Sequence, residues 1–341
     1  MAFPSSLVSL LLAGAFFSPL PGLAVLRDGR AAPPFPRYSG FAEISSSKDR
    51  FCVVGDTQRT SRWEFWRERN DPERRRILAG ILDRDPAFLI ILGDLTVRGS
   101  SEKHWREFDA NNRFLRNRKI PYFPVLGNHE HYGPNSKSFT QFFGRFPHLD
   151  GRFWYSFAWK NVGFVMLDSS FQVLTAAERR EQRAWLLAEL ARFEKDEAID
   201  FVIACCHQAP FTNSRVIPAN PLSQADFADA FVPFPKAAFF FSGHCHSYEK
   251  FEYGGKLFVV SGGGGGPRHK VRTDPAKRAF ADLYPGPELR FFHFCEVEAD
   301  RERLLVTVRK LDDGGAFSVA DTITVGKARP NDLPWDQRRN P

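Results

Sequence analysis

One pattern constrains this chain more than any other. A short, almost wholly apolar run ends in a small or polar residue, and a polar loop or helical segment follows. It occurs at 51–55, 88–92, 122–126, 201–206 and 237–241. Continuous apolar runs of this length, rich in Val, Ile and Phe, are what strands look like when both faces of a sheet are covered. Between them lie segments with helical spacing. Residues 72–82 begin at Pro with Asp71 as cap, residues 102–116 form a second helix, and residues 175–193 form an amphipathic third, capped by Thr175 with Trp185, Leu186 and Leu190 on one face. A strand pair is expected at 153–158 and 162–167, and further strands at 258–260, 291–297, 304–308 and 323–325. Strands alternating with helices predict an α/β fold with parallel segments.

Composition narrows the function classes. With 43% hydrophobic residues and 35 Phe, the chain can build a large core, which excludes a disordered or low-complexity protein. A net charge of +7 over 341 residues, without a long basic run, is no nucleic-acid footprint. The apolar run 7–17 is too short to span a bilayer and is followed by a small-x-small pattern, Gly22-Leu23-Ala24. It reads as a signal peptide over 1–24, which predicts export to a periplasmic or extracellular space and no membrane span in the mature chain. Residues 25–48 read as a linker, 49–326 as one catalytic domain and 327–341 as a tail. Of the five Cys, Cys52, Cys205, Cys206 and Cys295 sit in strand-like segments and are expected as buried, reduced small hydrophobes.

The residues that carry chemistry stand just past the strands: Asp56 and Gln58, Asp94, Asn128 and His129, His207, then His244 and His246. Open α/β sheets place their sites at such strand ends. Carboxylate oxygens and imidazole nitrogens together suit Mn, Fe or Zn, and the inventory suffices for two ions sharing one carboxylate. Trp63, Phe65 and Trp66, in an Arg-rich stretch, either wall a substrate cleft or pin their loop to the core. The Gly262-to-Gly266 run lacks the context of a nucleotide loop and reads as a close-packed turn.

Gly55-Asp56-Thr57-Gln58, Gly93-Asp94, Gly127-Asn128-His129-Glu130, His207 and Gly243-His244-Cys245-His246, in this order, resemble the calcineurin-like metallophosphoesterase superfamily. The resemblance covers about residues 50–265, and the segment with Gln182 and Trp185 is similar to exported relatives of the purple acid phosphatases. It implies a two-sheet β-sandwich flanked by helices in four layers (αββα). It also implies two divalent or trivalent ions and a small-molecule phosphate ester as substrate. By the same resemblance Asp94 bridges both ions, Asp56 and His246 hold the first, and Asn128, His207 and His244 hold the second. A metal-bound hydroxide attacks phosphorus, and His129 protonates the leaving oxygen or stabilises charge there.

Three departures bear on these roles. Gln58 stands where the family has a His, and either ligates through its carbonyl oxygen or touches substrate or water. Val97 stands where purple acid phosphatases have a Tyr, so no iron–tyrosinate centre is expected. Val97 also replaces the Asp that orients the catalytic His in protein phosphatases, while Arg98 remains, either forking onto phosphate or serving as a solvated loop charge. The alternative to an enzyme is a binding or scaffold protein on an attenuated phosphoesterase fold.

Overall fold

The structure, a computed structural model, describes residues 35–327. The expected signal peptide, the first part of the expected linker and nearly all of the expected tail lie outside the described residues. Residues 35–48, read from composition as linker, lie against the domain. Tyr38 is buried and its N–H donates to Arg145 O, Ser39 O accepts from Tyr122 N, and Phe41 stacks on Phe123 at 5.0 Å. Two aromatic rings give this stretch the apolar anchor that its Pro-, Ala- and Ser-rich composition conceals.

Among the described residues twelve strands form two mixed six-stranded sheets with helices on the outside. The first contains β1 (Arg50–Val54), β2 (Leu89–Ile91), β3 (Tyr122–Pro124), β10 (His293–Ala299), β11 (Arg303–Leu311) and β12 (Phe317–Gly326). Its order is β12-β11-β10-β1-β2-β3, parallel from β1 to β3 and antiparallel from β1 outward through β10, β11 and β12. The second contains β4 (Tyr155–Trp159), β5 (Val162–Met166), β6 (Phe201–Cys206), β7 (Ala237–Ser242), β8 (Tyr248–Tyr253) and β9 (Lys256–Ser261). Its order is β4-β5-β6-β7-β9-β8, with β5, β6, β7 and β9 parallel and the two edge strands antiparallel.

The unbroken apolar strands resolve into two faces. Phe164 and Met166 of β5, Ile203 and Cys205 of β6, and Phe239 and Phe241 of β7 join the core between the sheets. Their neighbours Val165, Val202, Ala204, Cys206 and Phe240 join a second core on the outer face. Side chains alternate across a strand, so a run buried on both faces has to be apolar throughout. Phenylalanines fill the space between the sheets, with Phe88 edge-on to Phe164 at 5.4 Å and Phe123 stacked on Phe157 at 4.3 Å. Cys52, Cys205, Cys206 and Cys295 are buried and free, as their settings predict, and Cys245 is buried and free as well.

The helices of the described residues include α1 (Asp71–Asp83), α2 (Glu102–Asn111), α3 (Arg113–Asn117), α4 (Asn135–Arg145) and α5 (Ala176–Lys195), followed by a short π-helical segment, Ser223–Ala228, that runs into one α-helical turn, Asp229–Phe231. Thr175 and Glu178 form a reciprocal capping box on α5, which covers the outer core with Leu186, Leu190 and Phe193. Two details differ from expectation. Asn70, not Asp71, precedes α1, because Asp71 is drawn into an ion pair with Arg74 at 2.5 Å. The single helix expected over 102–116 breaks at Asn112, whose side chain turns back to Phe108 O and accepts from the Tyr122 hydroxyl at 2.9 Å. A side chain competing for helix backbone groups is a common cause of such a break.

Candidate metal centre

Every strand-end residue singled out in the sequence follows a parallel strand of one sheet or the other. Asp56 and Gln58 follow β1, Asp94 follows β2, and Asn128 and His129 follow β3. His207 follows β6, and His244 and His246 follow β7. The ends of these five strands meet at one edge of the sandwich. Two overlapping groups of donor atoms result, each within 4.8 Å: Asp94 with His207 and His244, and Asp56 with Asp94 and His246. Asp94 belongs to both. Asn128 adds its Oδ1 3.1 Å from His207 Nε2. Gln58 places its amide nitrogen 3.2 Å from both Asp94 Oδ2 and His246 Nε2, while its carbonyl oxygen is buried without a partner.

The histidines are aimed by backbone carbonyls. His207 Nδ1 lies 2.7 Å from Leu92 O, His246 Nδ1 2.8 Å from Pro267 O, and His129 Nδ1 2.9 Å from Val97 O. A carbonyl can only accept, so each Nδ1 carries hydrogen and each Nε2 faces the cluster. For His129 the backbone carbonyl of Val97 occupies the orienting role that the Val97 side chain cannot fill. His129 Nε2 lies 3.7 Å from Asp94 Oδ2.

The backbone is strained where the donors sit. Asp56, Asp94, His244 and His246 all have positive φ, at 61°, 52°, 70° and 43°. L-residues with side chains occupy this region at a cost of order 1–3 kcal/mol each, and such residues concentrate at functional sites. The motif glycines make the crowding possible. Gly93 has φ 84°, and a Cβ there would lie 2.6 Å from His207 Nδ1; a Cβ on Gly127 would overlap Asp94 Oδ1. The turn at Gly262–Gly266 closes the same edge, with Gly264 N and Gly266 N donating to Gly55 O and Asp56 O.

The cluster draws in positive charge. Burial disfavours an imidazolium at His207, yet the Asp94 carboxylate outweighs it and raises the pKa to about 9. His246 is raised in the same way by Asp56. Burial acts against the Asp94 carboxylate, but His129 and His207 hold its pKa well below the usual range. His244 is pushed down to about 3 by burial and by neighbouring His207. Two buried carboxylates among imidazoles make a setting in which metal ions can take the place of protons.

Some participants carry no signal that spacing alone reveals. Glu130, known only as a motif letter, accepts backbone N–H groups from Asp94, Leu95, Thr96 and Gly127 and so fixes the second and third motifs together. Tyr132 receives a hydrogen bond from Asn128 Nδ2 at 2.9 Å and lays its ring 4.6 Å from that of His129. His269 is buried and stacks on His246 at 4.2 Å. Arg98 is exposed, and its Nε donates to Ser100 Oγ at 3.2 Å. Asp168, at the end of β5, has its backbone N–H and C=O paired with the Gln182 side chain.

A two-sheet α/β sandwich with overlapping oxygen and imidazole donors at its strand ends defines a class of metal-binding phosphoesterase folds. The model of the calcineurin-like phosphoesterase family matches residues 49–248, more than half of the chain, and the chain belongs to that family. An uncharacterized protein of Mycobacterium tuberculosis is 32% identical over 150 residues, 38% of this chain and 28% of its own length. Purple acid phosphatase 22 of Arabidopsis thaliana is 24% identical over 226 residues, 64% of this chain and 48% of its own. The chain thus spans less than half the length of these curated relatives. Among solved structures, the purple acid phosphatase from yellow lupin (Lupinus luteus) seeds superposes with a TM-score of 0.64 at 20% identity, over 86% of this chain and 55% of that one. A dimetal phosphatase from Danio rerio gives 0.55 at 15% identity, over 82% and 99%. These structural likenesses show the fold.

Proposed function

We propose that this protein hydrolyses phosphate esters with two metal ions, Mn, Fe or Zn, held at the strand ends. The observation that carries the reading is the sharing of Asp94 between two donor groups, with His129 poised beside it. Asp56, Asp94 and His246 would hold one ion, and Asp94, Asn128, His207 and His244 the other. Gln58 fits the first position. Turning its amide over about the last bond brings the orphaned carbonyl oxygen beside Asp94 and His246, where a cation needs a donor. Bound ions would supply charge neutralisation at phosphate oxygens and an acidified water.

The chain's own side chains do the rest. With Nδ1–H fixed on Val97 O, His129 keeps Nε2 free to hold the proton that passes to the leaving oxygen. Tyr132 holds Asn128 so that its carbonyl oxygen, not its amide nitrogen, faces the donors. Arg98, exposed in the loop between β2 and α2 with its Nε on Ser100 Oγ, would meet a phosphate oxygen. The substrate is a small-molecule ester rather than a nucleic acid, in keeping with the modest net charge. No described helix is long and apolar enough to cross a membrane. We also propose export, which N-terminal sequencing of the mature chain tests: it should begin near Val25, and a start at Met1 or Ala2 would refute cleavage there.

Purified protein supplemented with Mn, Zn or Fe should hydrolyse an activated aryl phosphate mono- or diester, and Asn128→Ala and His207→Ala should remove metal and activity together. A wild type that binds no metal, is inert on both esters and still captures a partner would favour the scaffold reading instead.

A further inference from the structure

Three large aromatic side chains stand out in water. Trp63, Phe65 and Trp66 are 77%, 77% and 71% exposed, so they do not pin their loop to the core. Polar residues do that. Thr60 Oγ1 donates to Glu68 O at 2.5 Å, Glu68 forms a two-pronged ion pair with Arg268, and Arg67 Nη2 donates to Pro267 O at 3.1 Å. The loop is thus clamped at both feet while its aromatic tip is left uncovered. Exposed apolar surface on a fixed support marks a place where something binds.

The clamp ties the loop to the candidate metal centre. Pro267 O, which accepts from Arg67, is the same carbonyl that aims His246. The loop leaves the cluster just after Gln58. Tyr132, beside the same cluster, is 46% exposed and stacks beside His129, the residue placed at the leaving oxygen.

We propose that the Trp63–Phe65–Trp66 loop is a platform for the leaving group, and that the substrate is a phosphate ester of a planar, aromatic alcohol. This rests on the phosphoesterase reading and narrows it to a substrate class. The alcohol would lie against the loop and Tyr132 with its ester oxygen toward His129. Flat π-faces stack on Trp and Phe whatever their substituents, which gives affinity for a class rather than for one compound. A lipid surface is the competing occupant, since Trp and Arg also favour membrane interfaces. Position argues against it. Arg59 is paired with Glu107 and Arg67 with Glu64, at 3.1 and 2.7 Å, which leaves Arg62 and Arg69 without an ion-pair partner among the described residues, but the loop is seated on Pro267, whose carbonyl aims His246 at the donor cluster.

Calorimetric titration of the Mn-supplemented protein with two non-hydrolysable probes, benzylphosphonate and methylphosphonate, tests this without turnover. The wild type should bind benzylphosphonate at least about tenfold more tightly. The variant Trp63→Ala/Phe65→Ala/Trp66→Ala should lose that preference and keep its affinity for methylphosphonate. Equal affinities in the wild type, or a preference that survives in the variant, would overturn the platform alone. If neither phosphonate binds the wild type, the phosphoesterase reading fails and the platform with it. Sedimentation with phosphatidylglycerol vesicles is the second arm: vesicle binding that the variant loses, with the phosphonate preference unchanged, would make the loop a lipid-docking element and overturn the proposal.

Discussion

Two buried polar clusters of this molecule are built on opposite principles. Around Asp109, the Arg145 guanidinium donates from Nε and Nη2 to the carboxylate and from Nη1 to Gln141, and Tyr38 adds its hydroxyl at 3.0 Å. Trp105 and Phe35 lie against the guanidinium, each 4.9 Å away. Charge is balanced and the donors are used. At the strand ends around Asp94 the backbone is strained at four donor residues, the imidazoles face one another, and a Gln carbonyl is orphaned. One cluster is complete as it stands, and the other, on the function proposed above, would be completed by cations. Burial and polarity alone do not separate them; unmet valence and backbone strain do.

Replacing a member of each should therefore give opposite results. Asp94→Asn removes the shared carboxylate, so hydrolysis should fall by about a thousandfold or more and metal content should drop with it. Asp109→Ala should do the reverse. It leaves the Arg145 charge buried and unpaired, at a cost of about 3–5 kcal/mol in denaturant unfolding, with turnover per folded molecule unchanged. An Asp109→Ala protein of wild-type stability would break the comparison.

Glu249 sharpens it from a third position, since it is buried and hydrogen-bonded by Thr212, Asn213 and Ser247 but has no ion-pair partner. Burial, with a smaller push from Asp282, raises its pKa to about 7 against the donated hydrogen bonds. The folded value exceeds the unfolded one, so its stabilisation is full below about pH 4.5 and is lost as the pH rises through about 7. Relative to Glu249→Gln, the wild type should lose about 3 kcal/mol across that window in unfolding experiments. Parallel pH profiles for the two proteins would remove Glu249 from this picture. The smallest effect belongs to Tyr132→Phe. Freed of its hydroxyl partner, Asn128 should cost about tenfold in metal affinity, read by competition with a chelating dye; unchanged affinity would leave Tyr132 without an orienting role.

The donor cluster was legible because topology and sequence agree there. Asp56, Asp94, Asn128 and His207 each follow an apolar run, and parallel strands bring such ends together without further instruction. Where the determinant is a tertiary contact, local pattern fails. Nothing around His269 announces that it will stack on His246. The break at Asn112 depends on a hydroxyl that arrives from β3. The edge strand β8 went unread because Glu249, Lys250 and Glu252 interrupt its apolar positions. α4 went unread because Ser, Thr and Gln dilute a stripe carried by Phe142 and Phe143. In the aromatic loop the sequence left two readings open, and exposure removes the one in which the rings pin the loop to the core.

Metal content tests the central claim most directly. After incubation with excess Mn or Zn and exhaustive dialysis, elemental analysis should find about two ions per wild-type chain and per Asp109→Ala chain, and less than one per Asp94→Asn chain. A wild type without retained metal, or an Asp94→Asn protein that retains as much as the wild type, would contradict the account.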